Sequence, residues 1–417
     1  MKKLAAVFFI LLFASTASAQ VITNPSTNAR MDGLGVQNWQ VEDDFNIFIN
    51  PAQIGNYKNN IYGELGTYGA NTITVNNPNQ SGINLGSQWG GMNMDVSYGT
   101  WGVYLGRPYS FNGPLNLMGA GSAPGNNRFD LFYGLHSSMP VGFYLSYADQ
   151  SENTKSGGTT FKDQSQEFNL GAGGIFADGM LEGSLNITLP TSKCVDTTGG
   201  DVACGGATGN TFKSDAGPSF ALLVRHHADM GNSKLLTTAQ IQTIDASTKD
   251  STSPTKIDDS TFGWRIDTAL NSKPNPDTLV VAGIGLNGAN RTIKLKGGGG
   301  KVTLDNLAIP VNVAVEHQTF KYVKTRIGLS KPLYNKANCK DTTGADTCSG
   351  SVLASAQKVD IVSDGAATVS AGIGWAVADN MTVDAVINQD VLFTGTYVVS
   401  GVPETLSSKI SATYRFK

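Results

Sequence analysis

The chain has 417 residues, a formal net charge of −3, 15% charged residues, 40% hydrophobic residues and 49 glycines. Ordinary soluble domains carry roughly 25% charged residues, so this composition suits a protein whose outer face meets lipid better than one fully surrounded by water. No basic run or patch appears, which argues against a nucleic-acid partner, and the length fits one large barrel or two soluble domains.

Met1 to Ala19 reads as a secretory signal peptide cleaved after Ala19. Lys2 and Lys3 form the positive end, Leu4 to Phe13 the apolar core, and Ala17-Ser18-Ala19 the cleavage site. The apolar run is too short for a membrane helix, and no later run reaches about 18 apolar residues. Gln20 rather than Cys follows the cut, so a lipoprotein anchor is not expected. The mature chain is therefore expected outside the cytoplasm, without a membrane-spanning helix.

The next stretch, NARMDGLGVQNWQVEDDFNIFINPA over residues 28–52, neither alternates like a strand nor carries a helical stripe of useful length. Asn50-Pro51 is a turn pair, since Pro fixes its own φ and pushes Asn50 towards extended geometry. Yet Trp39, Phe45, Ile47, Phe48 and Ile49 need to be enclosed. The expectation is a plug over residues 20–58, with a β-barrel over 59–417 closed around it. Leu34-Gly35, the pair Asp43-Asp44 and then Asn50-Pro51-Ala52 resemble the N-terminal hatch of the FadL-type family of outer-membrane transporters for hydrophobic compounds, and a related group of secretion-associated barrels is similar there. The resemblance covers roughly 25 residues plus general barrel character downstream. It implies that Asp43, Asp44, Asn50, Pro51 and Ala52 belong to the hatch and ligand pathway. It also implies that an apolar ligand binds among outer loops and hatch and leaves sideways through a strand kink. Leu115, Leu117 and Met118 in the loop 109–128 are candidates for the ligand loop, and Gly106 and Pro108, where Pro removes a ladder donor, for the kink.

Alternation then recurs to the C-terminus. Trp101, Val103 and Leu105 alternate with Gly102, Tyr104 and Gly106; Phe143, Leu145 and Tyr147 with Tyr144, Ser146 and Ala148; Leu181, Leu185 and Leu189 with Glu182, Ser184 and Thr188. Phe262, Trp264 and Ile266 alternate with Arg265 and Asp267; Val311, Val313 and Val315 with Asn312 and Glu316; Ile327 and Leu329 with Arg326; Met381, Val383 and Ile387 with Asp384. Period two with one polar face is a half-buried strand, and a charged inner face suits a wet lumen. Such segments number about 14 to 16, and a single-chain bacterial barrel needs an even number. The fold expected is all-β, a transmembrane antiparallel β-barrel of about 14 strands, the number the resemblance implies. Short connections at 137–140 and 378–380 face the periplasm, and long ones near 149–163, 190–211, 245–259 and 334–356 face outside.

Four cysteines lie in two near-copied loops: Cys194 and Cys204 bracket VDTTGGDVA, and Cys339 and Cys348 bracket KDTTGADT. Of the three possible pairings, the two local disulfides are favoured, because each pair sits in one short Gly-rich loop of a compartment that permits disulfides. The Asp196/Asp201 and Asp341/Asp346 loops lack a full calcium-loop pattern and read as solvated. Tyr414 and Phe416, one residue apart at the end of the chain, resemble the signal read by the outer-membrane assembly machinery, and sit where an aromatic girdle would.

Catalytic motifs are absent. His226 and His227 are adjacent, as are Glu316 and His317, so in strands each pair faces opposite ways. No HExxH or GxSxG occurs, and Val302 after Lys301 excludes a phosphate loop. No catalytic residue, metal or cofactor is expected. The expected function is a channel in the outer membrane of a Gram-negative bacterium passing small, hydrophobic molecules, with outer-membrane lipid and the assembly machinery as partners. The alternatives are a scaffold, secretion partner or adhesin, and a polar diffusion porin.

Overall fold

A strand leaves a row of unpaired amides and carbonyls on each edge until a neighbour meets them, and here every wall strand is met on both sides. The computed structural model describes residues 28–66, 87–107, 128–156, 159–196, 211–250, 256–296, 300–341, 358–363, 367–387 and 407–416. Strands β1 (Asn60–Gly66), β2 (Ser87–Val96), β3 (Gly99–Leu105) and β4 (Arg128–Leu135) are followed by the longer β5 (Val141–Ser156), β6 (Thr159–Phe176) and β7 (Leu181–Asp196). After the short β8 (Thr211–Ser214) come β9 (Ser219–Met230), β10 (Ser233–Asp245) and the short β11 (Thr248–Asp250). Then follow β12 (Lys256–Asn275), β13 (Thr278–Lys296), β14 (Lys301–Phe320) and β15 (Val323–Asp341). A short β16 (Lys358–Ser363) precedes β17 (Thr368–Ala378), β18 (Met381–Ile387) and β19 (Ser407–Arg415).

Apart from β8, β11 and β16, which extend hairpins near the loops, the strands pair antiparallel in chain order, and β19 closes on β1 from Asn60↔Arg415 to Gly66↔Lys409. The described residues thus form a closed wall of 16 strands, not 14. The even count holds. Strands such as β2 and β6 hide their alternation, because glycines at 90, 91, 171, 173 and 174 leave no side chain to mark a face. Two-residue turns at 97–98, 231–232, 276–277, 321–322 and 379–380 lie at one end. The other end is longer than the sequence suggests. The ladder of β5 with β6 runs on to Ser156↔Thr159, through residues expected to be loop, and β15 continues to Asp341. Polar residues keep the hydrogen-bonded ladder in water, so strands of 19–20 residues outrun the roughly 9–11 that a tilted span requires.

The apolar faces point outward. Trp101, Leu105, Phe143, Leu185, Ile266, Ile327 and Trp375 are exposed, whereas the intervening Asp130, Glu182, Arg225, Asp267, Glu316 and Arg326 are buried. The N-terminal segment accounts for that burial. It folds into a short helix, α1 (Ala29–Leu34), capped by Asn28 and ended by Gly35 at φ 64°, and three 3-10 turns, Asn38–Gln40, Asp44–Phe48 and Pro51–Asn56. Helix α1 touches β14, β15, β17, β18 and β19, the first turn touches β10 and β12, and the last touches β3 to β6. The segment thus touches strands all around the closed ring. Phe45, Ile47 and Ile54 pack there on Tyr62, Trp89, Tyr104 and Phe132.

The exposed belt makes a direct prediction. Ile327→Lys, at a position 58% exposed on the outer face, is expected to weaken folding into lipid vesicles by about 2–4 kcal/mol, read from denaturant refolding. An unchanged midpoint would show that the belt does not meet hydrocarbon.

Candidate functional site

The turn at Asn50-Pro51-Ala52 is built into the wall. The Asn50 side-chain oxygen accepts the Ala52 amide at 3.1 Å, and its amide group donates to the Gly174 carbonyl at 3.2 Å and to Glu182 at 3.0 Å. Pro51 starts the turn, where no amide hydrogen is needed. The wall makes room with glycines. A Cβ on Gly142 would lie 2.2–2.4 Å from the backbone of Pro51 and Ala52, one on Gly173 2.0 Å from the Asn50 oxygen, and one on Gly328 1.8 Å from the Leu34 carbonyl. Ile54 is seated in the same way against Gly102 and Gly134.

Glu182 on β7 is the meeting point of this side. Its carboxylate accepts from Asn50, from Gln53 at 2.8 Å and from the Arg225 guanidinium, and it lies 2.6 Å from His227 Nε2. Arg225 also donates to Asn46 at 3.2 Å, and its side chain is fully buried. The other ring nitrogen of His227 lies 3.1 Å from Glu42, which also accepts from Lys234 at 2.8 Å. These contacts hold the Glu42 carboxyl at about 2, below its ordinary 4.5, the His227 hydrogen bond contributing most.

Further round the ring, Arg30 of α1 bridges segment and barrel. It donates to Asp43 at 2.6 Å and in bidentate fashion to Glu316 at 3.0 and 3.1 Å. Arg326 joins Glu316 at 2.5 Å to Asp384 at 2.6 Å. Lys409 pairs with Asp32 at 2.6 Å. Asp43 further accepts from Asn28 at 2.7 Å and from the Phe45 amide at 3.1 Å. Burial opposes its charge, but Arg30 beside it holds its carboxyl below the usual range, while burial and the Asp43 charge push the Asp44 carboxyl up.

Of the residues singled out from sequence, Asn50, Pro51 and Ala52 sit against β5 to β7, whereas Asp43 and Asp44 lie in a separate cluster with Asn28 and Arg30. Gly106 ends β3 at φ 74°, and the following Arg107 is buried, ion-paired with Asp130 at 2.7 Å and lying 4.4 Å over the Phe48 ring. Pro108, Leu115, Leu117, Met118 and the signal peptide lie outside the described residues. Cys339 is buried and disulfide-bonded; the side chains of Cys194, Cys204 and Cys348 lie outside the described ones, and with them the expected pairing. Tyr414 is exposed on the outer face, and the Phe416 amide donates to Asn59 at 2.9 Å. His226 and His317 face outward while His227 and Glu316 face in, as adjacency in a strand requires. The inner charges themselves were legible as a polar face; the structure corrects their role, since many pair with the N-terminal segment rather than line open water. Glu182, Arg225 and Arg326 carried no signal beyond being charges at inward positions.

Two cavities flank the segment. One of about 360 Å³ lies towards the short turns, among Arg30, Asp43, Asp44, Tyr57, Asp384 and Arg415. The other, about 350 Å³, lies towards the long loops, among Gln37, Trp39, Arg265, Asn306, Asn312 and Asn335. Among the described residues no group of three or more His, Cys, Asp or Glu is placed to hold a metal ion.

No family model and no curated protein matches the chain. Among solved structures it is similar to a Pseudomonas aeruginosa FadL homologue, with 11% identity, a TM-score of 0.40 and coverage of 94% of this chain and 99% of that one. It is also similar to the Ralstonia pickettii toluene transporter TbuX, with 8% identity, 0.39, and 95% and 100% coverage. A third similar structure is the CymD monoaromatic hydrocarbon channel, with 9% identity, 0.37, and 95% and 99% coverage. At such scores and identities these likenesses carry no weight for function; the closed barrel rests on the strand pairing.

Two outcomes test the seating. Glu182→Ala leaves the Arg225 charge buried without its carboxylate, a change that typically costs about 3–5 kcal/mol; hydrogen exchange over residues 42–54 is expected to rise, and unchanged protection would refute the role of Glu182. Glu42 has a folded pKa below its unfolded one, so its contribution is present above pH 4.5 and is lost as pH falls towards about 2. Tryptophan fluorescence is expected to change in that window and to stay flat there in Glu42→Gln.

Proposed function

We propose that the chain is an outer-membrane channel for small molecules, with the N-terminal segment over residues 20–58 as its hatch. A closed barrel satisfies its own backbone in lipid and leaves a bore; the hatch occupies that bore. The observation that carries this reading is the pairing of hatch side chains with separate parts of the wall: Asn50 and Gln53 with Glu182 on β7, and Arg30 with Glu316 on β14. A segment held by discrete polar contacts, with cavities on both sides, fits selective passage better than bulk diffusion. Outer-membrane lipid around the exposed belt, and insertion by the assembly machinery through Tyr414 and Phe416, belong to the same proposal.

Hydrophobic cargo is what the resemblance at Asn50-Pro51-Ala52 implies. Passage of polar solutes is the second reading, favoured by the charged and amide side chains that line both cavities. No observation favours the scaffold or adhesin reading.

Planar-bilayer recording tests the hatch. The full-length protein is expected to conduct weakly, and removal of residues 20–58 to raise conductance several-fold. Equal conductance with and without the segment would overturn the reading. Mass spectrometry of copurified ligands decides the cargo: bound apolar molecules support the hydrophobic reading, and a large open conductance without them rejects it.

A further inference from the structure

The wall of the upper cavity departs from a regular ladder. Pro310 of β14 faces Pro332 of β15, and neither has an amide hydrogen to donate. Beside them the register slips: Ile309 pairs with Tyr334 and Pro310 with Pro332, so Leu333 is left unopposed. A bulge of this kind re-aims the side chains beyond it. Leu333 is exposed on the outer face, and Asn335 takes its place at the cavity with Asn306. The β13–β14 ladder also lacks pairs at Gly285 and Leu286, and a Cβ on Gly285 would lie 2.2 Å from the Asp267 carboxylate.

Among the described residues, six buried polar atoms on side chains that line this cavity have no hydrogen-bond partner: Trp39 Nε1, Arg265 Nε, Asn312 Nδ2, Gln37 Oε1, Asn306 Oδ1 and Asn335 Oδ1. Three donate and three accept. Buried polar atoms are normally partnered, so their grouping on the lining of one cavity makes it a candidate for a polar occupant. Arg265 is 95% buried in its side chain, stacks 3.6 Å over the Trp39 ring, and has Asp267 at 3.8 Å to balance its charge.

We propose that this cavity binds a neutral, hydroxyl-rich small molecule, a sugar in chemical class. The proposal rests on the channel reading above and names a ligand for its upper chamber. A hydroxyl both donates and accepts, as the mixed lining demands; a carboxylate only accepts and an alkane does neither. The balance of Arg265 by Asp267 favours a ligand without charge. The two prolines supply apolar faces, and about 350 Å³ lies within the range of ligand sites.

The test is calorimetric titration of the full-length protein in detergent with glucose, alongside swelling of proteoliposomes in glucose. Saturable binding is expected, weakened about tenfold or more in Asn306→Leu/Asn335→Leu and in Arg265→Gln. Heat-modifiable mobility on gels shows that each variant has closed its barrel. Absence of saturable binding, or equal binding by the folded variants, overturns the site and leaves ordered water alone in the cavity. Swelling without binding removes this site while the channel reading stands; neither binding nor swelling removes the site and the polar-solute reading, and the conductance test of the hatch then decides the channel.

Discussion

A charge shut away from water has to be met by partners at the same spot, and Glu182 is where that constraint is most demanding. Its carboxylate is almost fully buried, yet Asn50, Gln53, Arg225 and His227 converge on it. Two of these partners come from the N-terminal segment and two from β9. Removing the segment would strip the carboxylate of half its partners, leaving Arg225 and His227 to balance it. The Arg30–Glu316–Arg326–Asp384 chain repeats the arrangement on the other side. Ion pairs of this kind add little net stability over apolar packing but punish any wrong placement severely. They therefore fix where the segment sits more than how tightly the barrel folds.

Steric fit supplies the rest of the placement. Gly142, Gly173 and Gly328 lie where the segment's backbone passes closest to the wall, and any side chain at the first or last of these would overlap it. The aromatic cluster of Phe45, Phe48, Tyr62, Trp89 and Phe132 fills the adjoining space, with Phe45 and Tyr62 centroids 4.8 Å apart. Polar pairing, glycine seats and apolar packing thus occupy successive parts of one interface. The upper cavity, by contrast, is where the interface stops: beside the Pro310/Pro332 bulge, buried polar atoms of its lining side chains have no hydrogen-bond partner among the described residues.

Much of this was legible in the chain itself. Alternation of Trp101, Phe143, Leu185 and Ile327 with polar or small neighbours determined an all-β chain with an apolar outer face, and the irregular, apolar stretch around Asn50-Pro51-Ala52 determined that something had to enclose it. Both follow from local chemistry, since strand period and turn geometry depend on near neighbours. The strand number did not follow, because Gly-rich β2 and β6 carry no visible face. Nor did the lengths of β5, β6 and β15, because polar residues ladder as readily outside a membrane as within it. The pairing of Glu182 with Gln53, 129 positions apart, and the meeting of Pro310 with Pro332 were decided by tertiary structure alone: closure of the ring sets which strands are neighbours, and register sets which inward side chain meets which partner.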